Sequence, residues 1–258
     1  MARAAEPLQV PPARLCQGQR PLNVDCVFFD AGNTLVHPVP PVGEVYARAL
    51  RERGINADAE DVLLRFRHVC TVLRRQRQGE GLCYGATDAD ARRWWREVVM
   101  LTFERFGTIP DPDQAFEQLW NHFASPTAWE VFPDVVPALK ALRERGVRLG
   151  IIGNWDVRIV PLLEGLGLWG LFDAVTASFQ VGAEKPDSRI FSEALARCQV
   201  GPQRALHVGD SYEEDVLGAV GAGMRAVWLR RGAHGLHDCH DATVISTLAE
   251  VPELLRGA

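Results

Sequence analysis

VDCVFFD, residues 24–30, decides how the rest of the chain is read. A near-continuous apolar run ending on a carboxylate reads as a strand buried on both faces of a parallel sheet. After the loop AGNTLVHPVPP, however, no short helical crossover to a second strand follows. From Gly43 to about Ala124 the apolar residues recur at helical spacing instead. They fall in VYARALRERG, AEDVLLRFRHVCTVLRRQ, ADARRWWREVVMLTFERFG and DQAFEQLWNHFA, separated by Gly, Pro and Asp. Beyond Pro133 the pattern alternates. Helix DVVPALKALRERG precedes strand VRLGIIGN, helix RIVPLLEGLG precedes strand AVTASF, helix DSRIFSEALARCQ precedes strand ALHVGD, and helix EEDVLGAVGAG precedes strand RAVWLR. Such alternation specifies a right-handed α/β arrangement. The predicted fold class is therefore α/β, a doubly wound, Rossmann-like parallel sheet. Residues 22–37 and 132–258 join to form this core, residues 38–131 are inserted as an all-helical cap, and residues 1–21 read as a disordered leader.

Composition narrows the function classes. The 28 basic and 33 acidic residues give a formal charge of −5, which offers no general attraction to nucleic acid or to anionic membrane. No apolar run approaches the roughly 18 residues that a membrane span needs, and the first residues lack a signal-peptide h-region. Six cysteines without a C-x-x-C pair read as reduced thiols, so the expected setting is cytoplasmic and the expected partner a small molecule. Only Lys140 and Lys185 are lysines, so any step that needs an ammonium has two candidates.

In doubly wound sheets, ligands bind outside the carboxyl ends of the strands. The polar residues at those ends are Asp30, then Gly153 and Asn154, then Lys185 a little beyond AVTASF, and finally Asp210. Two carboxylates suit a Mg²⁺ ion that also takes substrate oxygen and water, and an ammonium suits a phosphoryl group. The chemistry suggested is phosphoryl transfer to a carboxylate.

Four segments carry a family resemblance. FFDAGNTLV, LGIIGNWD, EKPDSRIF and HVGDSYEEDVLGAVGAGM resemble, in order, the four motifs of the haloacid dehalogenase-like superfamily, over Val24 to Leu229. YGATDADARRWWREVVMLTF is similar to the helical insertion of one subgroup of it. The resemblance implies that Asp30 is the nucleophile. It also implies that the Asp30 carboxylate and the Gly32 carbonyl bind Mg²⁺ with Asp210, that Asp215 supports them, and that Lys185 neutralises charge between Asp30 and the transferred group. Main-chain N–H groups at Gly153 and Asn154, and the Asn154 amide, would hold phosphoryl oxygens. Mg²⁺ and Lys185 together would keep Asp30 ionised.

Two positions depart from the pattern. Gly32 stands where the superfamily's phosphatases carry a second Asp, the general acid and base, whose loss typically costs about 10²- to 10⁴-fold. Gly153 stands where a Ser or Thr hydroxyl is usual. Three readings follow: a Mg²⁺-dependent phosphatase of a small phosphorylated metabolite, a ligand-binding or regulatory protein that has lost turnover, and another hydrolysis on the same fold. A phosphonate hydrolase would need a cap lysine, and residues 38–131 contain none. A carbon–halogen hydrolase would not need Asp210 and Asp215 for a metal.

Plainer roles stand beside these. Asp215 is also favoured in the first turn of a helix by the dipole. Trp94 and Trp95 read as cap core rather than a substrate wall, and Trp155 reads equally as packing or as substrate contact. His234, His237, Asp238, Cys239 and His240 are metal-ligand types, but no second ligand cluster accompanies them.

Overall fold

The computed structural model describes residues 22–79, 87–232 and 242–255. The segment expected as a leader and the His234 to His240 segment lie outside these residues. In chain order the elements are β1 (Cys26–Phe29), β2 (Val36–Pro38), α1 (Val42–Arg51), α2 (Ala59–Gly79), α3 (Asp88–Glu104) and α4 (Pro112–Ala124). There follow β3 (Trp129–Val131), α5 (Val135–Arg143), β4 (Arg148–Gly153), α6 (Ile159–Gly165), β5 (Ala174–Ala177) and α7 (Ser178–Val181). The chain closes with α8 (Ser188–Arg197), β6 (Ala205–Gly209), α9 (Gly218–Gly221), β7 (Arg225–Leu229), β8 (Thr243–Ile245) and α10 (Val251–Leu254). No helix among the described residues is long and apolar enough to cross a membrane.

Six strands form one parallel sheet in the order β5-β4-β1-β6-β7-β8. β1 lies at its centre, with Phe29 beside Ile151 of β4 and Val208 of β6. Its side chains alternate between two cores. Val27 and Phe29 pack with Leu139, Leu163 and Val208 on one face, and Cys26 and Phe28 pack with Ile190, Phe191 and Ala194 on the other. Burial on both faces is why the run reads as continuous rather than alternating. From β1 the sheet grows toward β4 and β5 on one side and toward β6 to β8 on the other. This switch point opens a crevice at the carboxyl ends of β1, β4 and β6.

Helices α1 to α4 are inserted between β2 and β3 and enclose a core of their own around Tyr46, Leu50, Val62, Phe103, Phe116 and Leu119. Thr87 caps α3 by accepting from the Asp90 N–H, and Pro112 opens α4 at a position where its missing N–H costs nothing.

Several sequence expectations need correction. The end of AGNTLVHPVPP, read as a loop, pairs with the segment that leaves the insertion in an antiparallel ribbon, Val36 with Val131 and Pro38 with Trp129. Strands of three residues carry too little periodicity to register in a sequence. AVTASF ends as a strand at Ala177, because Ser178 begins α7. EEDVLGAVGAG is no single α-helix but a π-helical turn, Tyr212–Leu217, followed by α9.

Candidate active site

The crevice gathers side chains that lie far apart in sequence. Asp30 leaves β1 with its N–H bonded to the Val208 carbonyl, 2.9 Å away, and its side chain buried. Lys185 Nζ, brought in by the loop between α7 and α8, donates to Asp30 Oδ1 and Asp215 Oδ1, each at 2.6 Å. The π-helical turn after β6 aims Asp215 inward, where its Oδ2 accepts from the Ser211 N–H at 2.9 Å. His207 Nε2 reaches Asp215 Oδ1 at 2.9 Å. A carboxylate can only accept, so the bond assigns the His207 proton to Nε2. Asp210 stands at the mouth of β6, its carbonyl held by Trp228 Nε1 at 2.9 Å. Carboxylate oxygens of Asp30, Asp210 and Asp215 lie within 4.8 Å of one another.

Charge is unbalanced here. Burial works against the Lys185 ammonium, yet Asp215, Asp30 and Glu214 hold its pKa above the ordinary value. Burial also opposes ionisation of Asp215, but Lys185 and His207 outweigh it and hold this carboxyl far below the usual range. His207 is driven down by burial despite Asp215, and stays neutral. Asp30 fares differently. Burial pushes it up to about 8, with Lys185 opposing and Asp215 and Asp210 reinforcing the rise. Burial and Asp215 push Asp210 up to about 6. The Lys185 ammonium that opposes this rise is shared with Asp215.

That imbalance is the test of whether a divalent cation fits. Asp215 has both oxygens engaged by Lys185, His207 and Ser211, so it supports the others rather than facing an ion. Asp30 and Asp210 are oxygen donors held together with too little positive charge, the donor chemistry that Mg²⁺ takes.

Asn154 departs from its expected role. Its side-chain oxygen accepts from the Lys185 N–H at 2.7 Å, and its Nδ2 donates to the Lys185 carbonyl at 3.1 Å and to Glu214 Oε2 at 3.0 Å. The amide frames the Lys185 loop instead of offering a donor to a ligand. Glu214 in turn accepts from Arg74 of α2 at 2.6 Å, which ties the insertion to the site.

Both glycines that break the motif pattern lie against Trp155. A Cβ on Gly153 would sit 2.9 Å from Trp155 Cδ1, closer than carbons pack, so a Ser or Thr there requires the indole to shift. A Cβ on Gly32 would meet only Trp155 Cζ2, at an ordinary 3.8 Å, and Gly32 needs no left-handed backbone.

Above the carboxylates lies a cavity of about 360 Å³, lined by Asp30, Gly32, Asn154, Trp155, Asp210 and Asp215 below and by residues of α1 to α4 above. Trp94 is cap core as expected, but Trp95 is on the cavity wall, contrary to expectation. Its Nε1 donates to Asp156 Oδ2 at 3.1 Å. Asp156 also pairs with Arg158, whose guanidinium lies 3.8 Å from the centre of the Trp120 ring. Arg158 and Trp120 lie outside the quoted motif segments, whereas His207, Glu214 and Asp156 lie within them without the segments marking their roles.

Known proteins resemble the chain at this level. A family model described as haloacid dehalogenase-like hydrolase matches residues 24–223. The haloacid dehalogenase-like hydrolase domain-containing protein 3 of Mus musculus is 38% identical over 208 residues, covering 80% of this chain and 81% of the mouse protein. A glyceraldehyde 3-phosphate phosphatase of Methanopyrus kandleri is 31% identical over 216 residues, 82% of this chain and 86% of that protein. Among solved structures, a phosphatase from Thermococcus onnurineus superposes with a TM-score of 0.60 at 28% identity, over 90% of this chain and 98% of its own.

Proposed function

Because the chain belongs to the haloacid dehalogenase-like hydrolase family, we propose that it is a Mg²⁺-dependent phosphatase of small phosphorylated molecules working through an aspartyl-phosphate at Asp30. The observation that carries this reading is the buried Asp30 carboxylate, bonded to Lys185 through Oδ1, at the base of a cavity with α1 to α4 on its far wall. Oδ2 attacks phosphorus, the bond from phosphorus to the ester oxygen breaks, and that oxygen leaves as an anion that takes its proton from water. Water then attacks the acyl phosphate and returns Asp30 and inorganic phosphate. Lys185 binds both Asp30 and a phosphoryl oxygen, and the Gly153 and Asn154 N–H groups hold the others. Asp30, the Gly32 carbonyl and Asp210 hold Mg²⁺, which supplies charge neutralisation for the phosphoryl oxygens when bound. Residues 38–131 serve as the cap that keeps bulk water from the acyl phosphate.

The deciding experiment is acid-quenched mass spectrometry after mixing with an aryl phosphate and Mg²⁺. A phosphoryl adduct on the peptide containing Asp30, absent from Asp30→Asn, is expected. Trp155, lying over both departed motif positions, favours a second reading in which ligand binds without turnover. No adduct and no phosphate release, from a folded protein that still binds phosphate, would establish that reading instead.

The metal site makes its own prediction. Loss of an outer partner alone typically weakens metal binding by about 10- to 100-fold, and Asp210→Asn should weaken Mg²⁺ at least as much. Protons compete for the same oxygens, with Asp210 near about 6 and Asp30 near about 8 in the metal-free protein. Apparent affinity should therefore rise as pH rises through that window, with proton release on binding. Calorimetry in buffers of different ionisation enthalpy reads both effects. Equal affinity in wild type and variant would remove the site.

A further inference from the structure

The wall of the cavity specifies the other half of the substrate. We propose that the leaving group is a flat apolar ring system, so that the substrate class is an aryl or arylalkyl phosphate rather than a polyol or sugar phosphate. This rests on the phosphatase reading above and concerns the part of the ligand that lies beyond the phosphoryl group. About 360 Å³ is of the size that encloses a small ligand. Away from the carboxylates its lining is dominated by rings, including those of Phe66, Trp95, Trp120, Phe123, Trp129 and Trp155.

Two features make these rings a pre-set wall rather than a loose apolar lining. Phe66 and Trp95 are nearly parallel, 12° apart with centroids at 6.3 Å, and Trp129 lies 5.3 Å from Trp155. The Arg158 guanidinium, paired with Asp156, lies 3.8 Å from the Trp120 ring centre and 5.6 Å from that of Trp95, which fixes both. Rings already held in place lose little freedom when a flat ligand lies against them.

Several polar groups of the upper wall are, moreover, bonded within the protein. Trp95 Nε1 donates to Asp156, Trp129 Nε1 to the Phe123 carbonyl, Arg158 to Asp156 and Arg74 to Glu214. A polyol would have to bury hydroxyls against ring faces and bonded donors, whereas an arene loses nothing there. This sets the chain apart from the triose phosphate named for its archaeal relative.

The test uses ligands that cannot turn over, so leaving-group chemistry does not enter. Titration of wild type with Mg²⁺ present compares inorganic phosphate, ethylphosphonate and 1-naphthylmethylphosphonate, read by tryptophan fluorescence and calorimetry. The naphthyl compound should bind at least about tenfold more tightly than the ethyl compound. That ratio should fall toward unity in Phe66→Leu, which keeps an apolar side chain of similar size and so spares the fold, and in Trp95→Leu. Equal affinity for the two phosphonates, with phosphate still bound, would overturn the ring wall as a recognition element and leave the phosphatase reading standing. A ratio unchanged in both variants would also overturn it. Failure of folded wild type to bind phosphate or either phosphonate would overturn the phosphatase reading and this inference together.

Discussion

Lys185→Met should cost about 3–5 kcal/mol of folding stability at neutral pH, measured by urea unfolding of the metal-free protein. Methionine preserves the length and much of the packing volume of lysine, so the loss reports on charge. Lys185 is buried and is bonded to two carboxylates at once. Removing it leaves Asp30, Asp210 and Asp215 close together with no cation among them, and each must either ionise unpaired or take up a proton. The sign with pH follows. Lys185 is raised above its ordinary pKa, so its contribution is fully present at neutrality and is lost only in strong alkali. Asp215 is depressed, so its contribution is present above the unfolded carboxyl value and would be lost only as pH falls through its low folded value. In the variant Asp215 loses the ammonium that holds its carboxyl low, and so holds a proton that the wild-type residue has already shed. The destabilisation should therefore be larger at about pH 8 than at about pH 5. Equal stability of variant and wild type at both values would show that the triad is not the electrostatic centre of this fold.

Wild type should show a related trend. Asp30 and Asp210 are raised above unfolded carboxyls, so in the absence of metal they reduce stability as pH rises from about 4 toward their folded values. The site is thus built at some expense to the fold, and a bound cation relieves that expense by mass action.

How far this arrangement is legible in sequence depends on how each residue is placed. Asp30 and Asp210 can be read because a strand end is visible in one dimension: an apolar run stops and a carboxylate follows. Lys185 stands out by its scarcity, and then by its place in the order of strands. The cavity wall is another matter. Trp94 and Trp95 are adjacent on one helix, and which of them faces the core depends on the rotation of α3 about its axis. That rotation is settled by contacts with Asp156 and Phe66, 61 and 29 positions away. The bonds made by His207 and by the Asn154 amide are hidden for a different reason. Their partners Asp215, Glu214 and Lys185 sit in a π-helical turn and a loop whose paths no periodicity describes. The most useful thing the structure adds concerns two glycines. Sequence shows that both lack side chains, but only the position of the Trp155 indole distinguishes a place that is filled, above Gly153, from one that is open, above Gly32.

That distinction turns the absent general acid into an experiment. Gly32→Asp should raise kcat/KM for alkyl phosphates by about 10²-fold, within the 10²- to 10⁴-fold span that a positioned acid and base typically supplies. An alkoxide leaves poorly without a proton, so alkyl esters bear most of the present deficit. Aryl phosphates, whose leaving groups are stable anions, should gain less. The space exists, since the new Cβ would meet Trp155 Cζ2 at 3.8 Å and the backbone at Gly32 is one that any residue adopts. The cost is a further negative charge beside Asp30 and Asp210, which makes the bound cation more necessary, so the assay should be run at saturating Mg²⁺. Gly32→Asn separates proton transfer from shape, because its amide fills the same space and can serve as neither acid nor base at neutral pH. The expected pattern is a gain for Asp that Asn does not share, larger for alkyl than for aryl esters, with hydrolysis of the Asp30 adduct accelerated in step. A folded, Mg²⁺-binding Gly32→Asp variant with no gain on any ester would mean that the missing proton is not what limits this site. The indole above the two glycines would then be the element to alter next, since it lies beside both positions where the chain departs from its family's pattern.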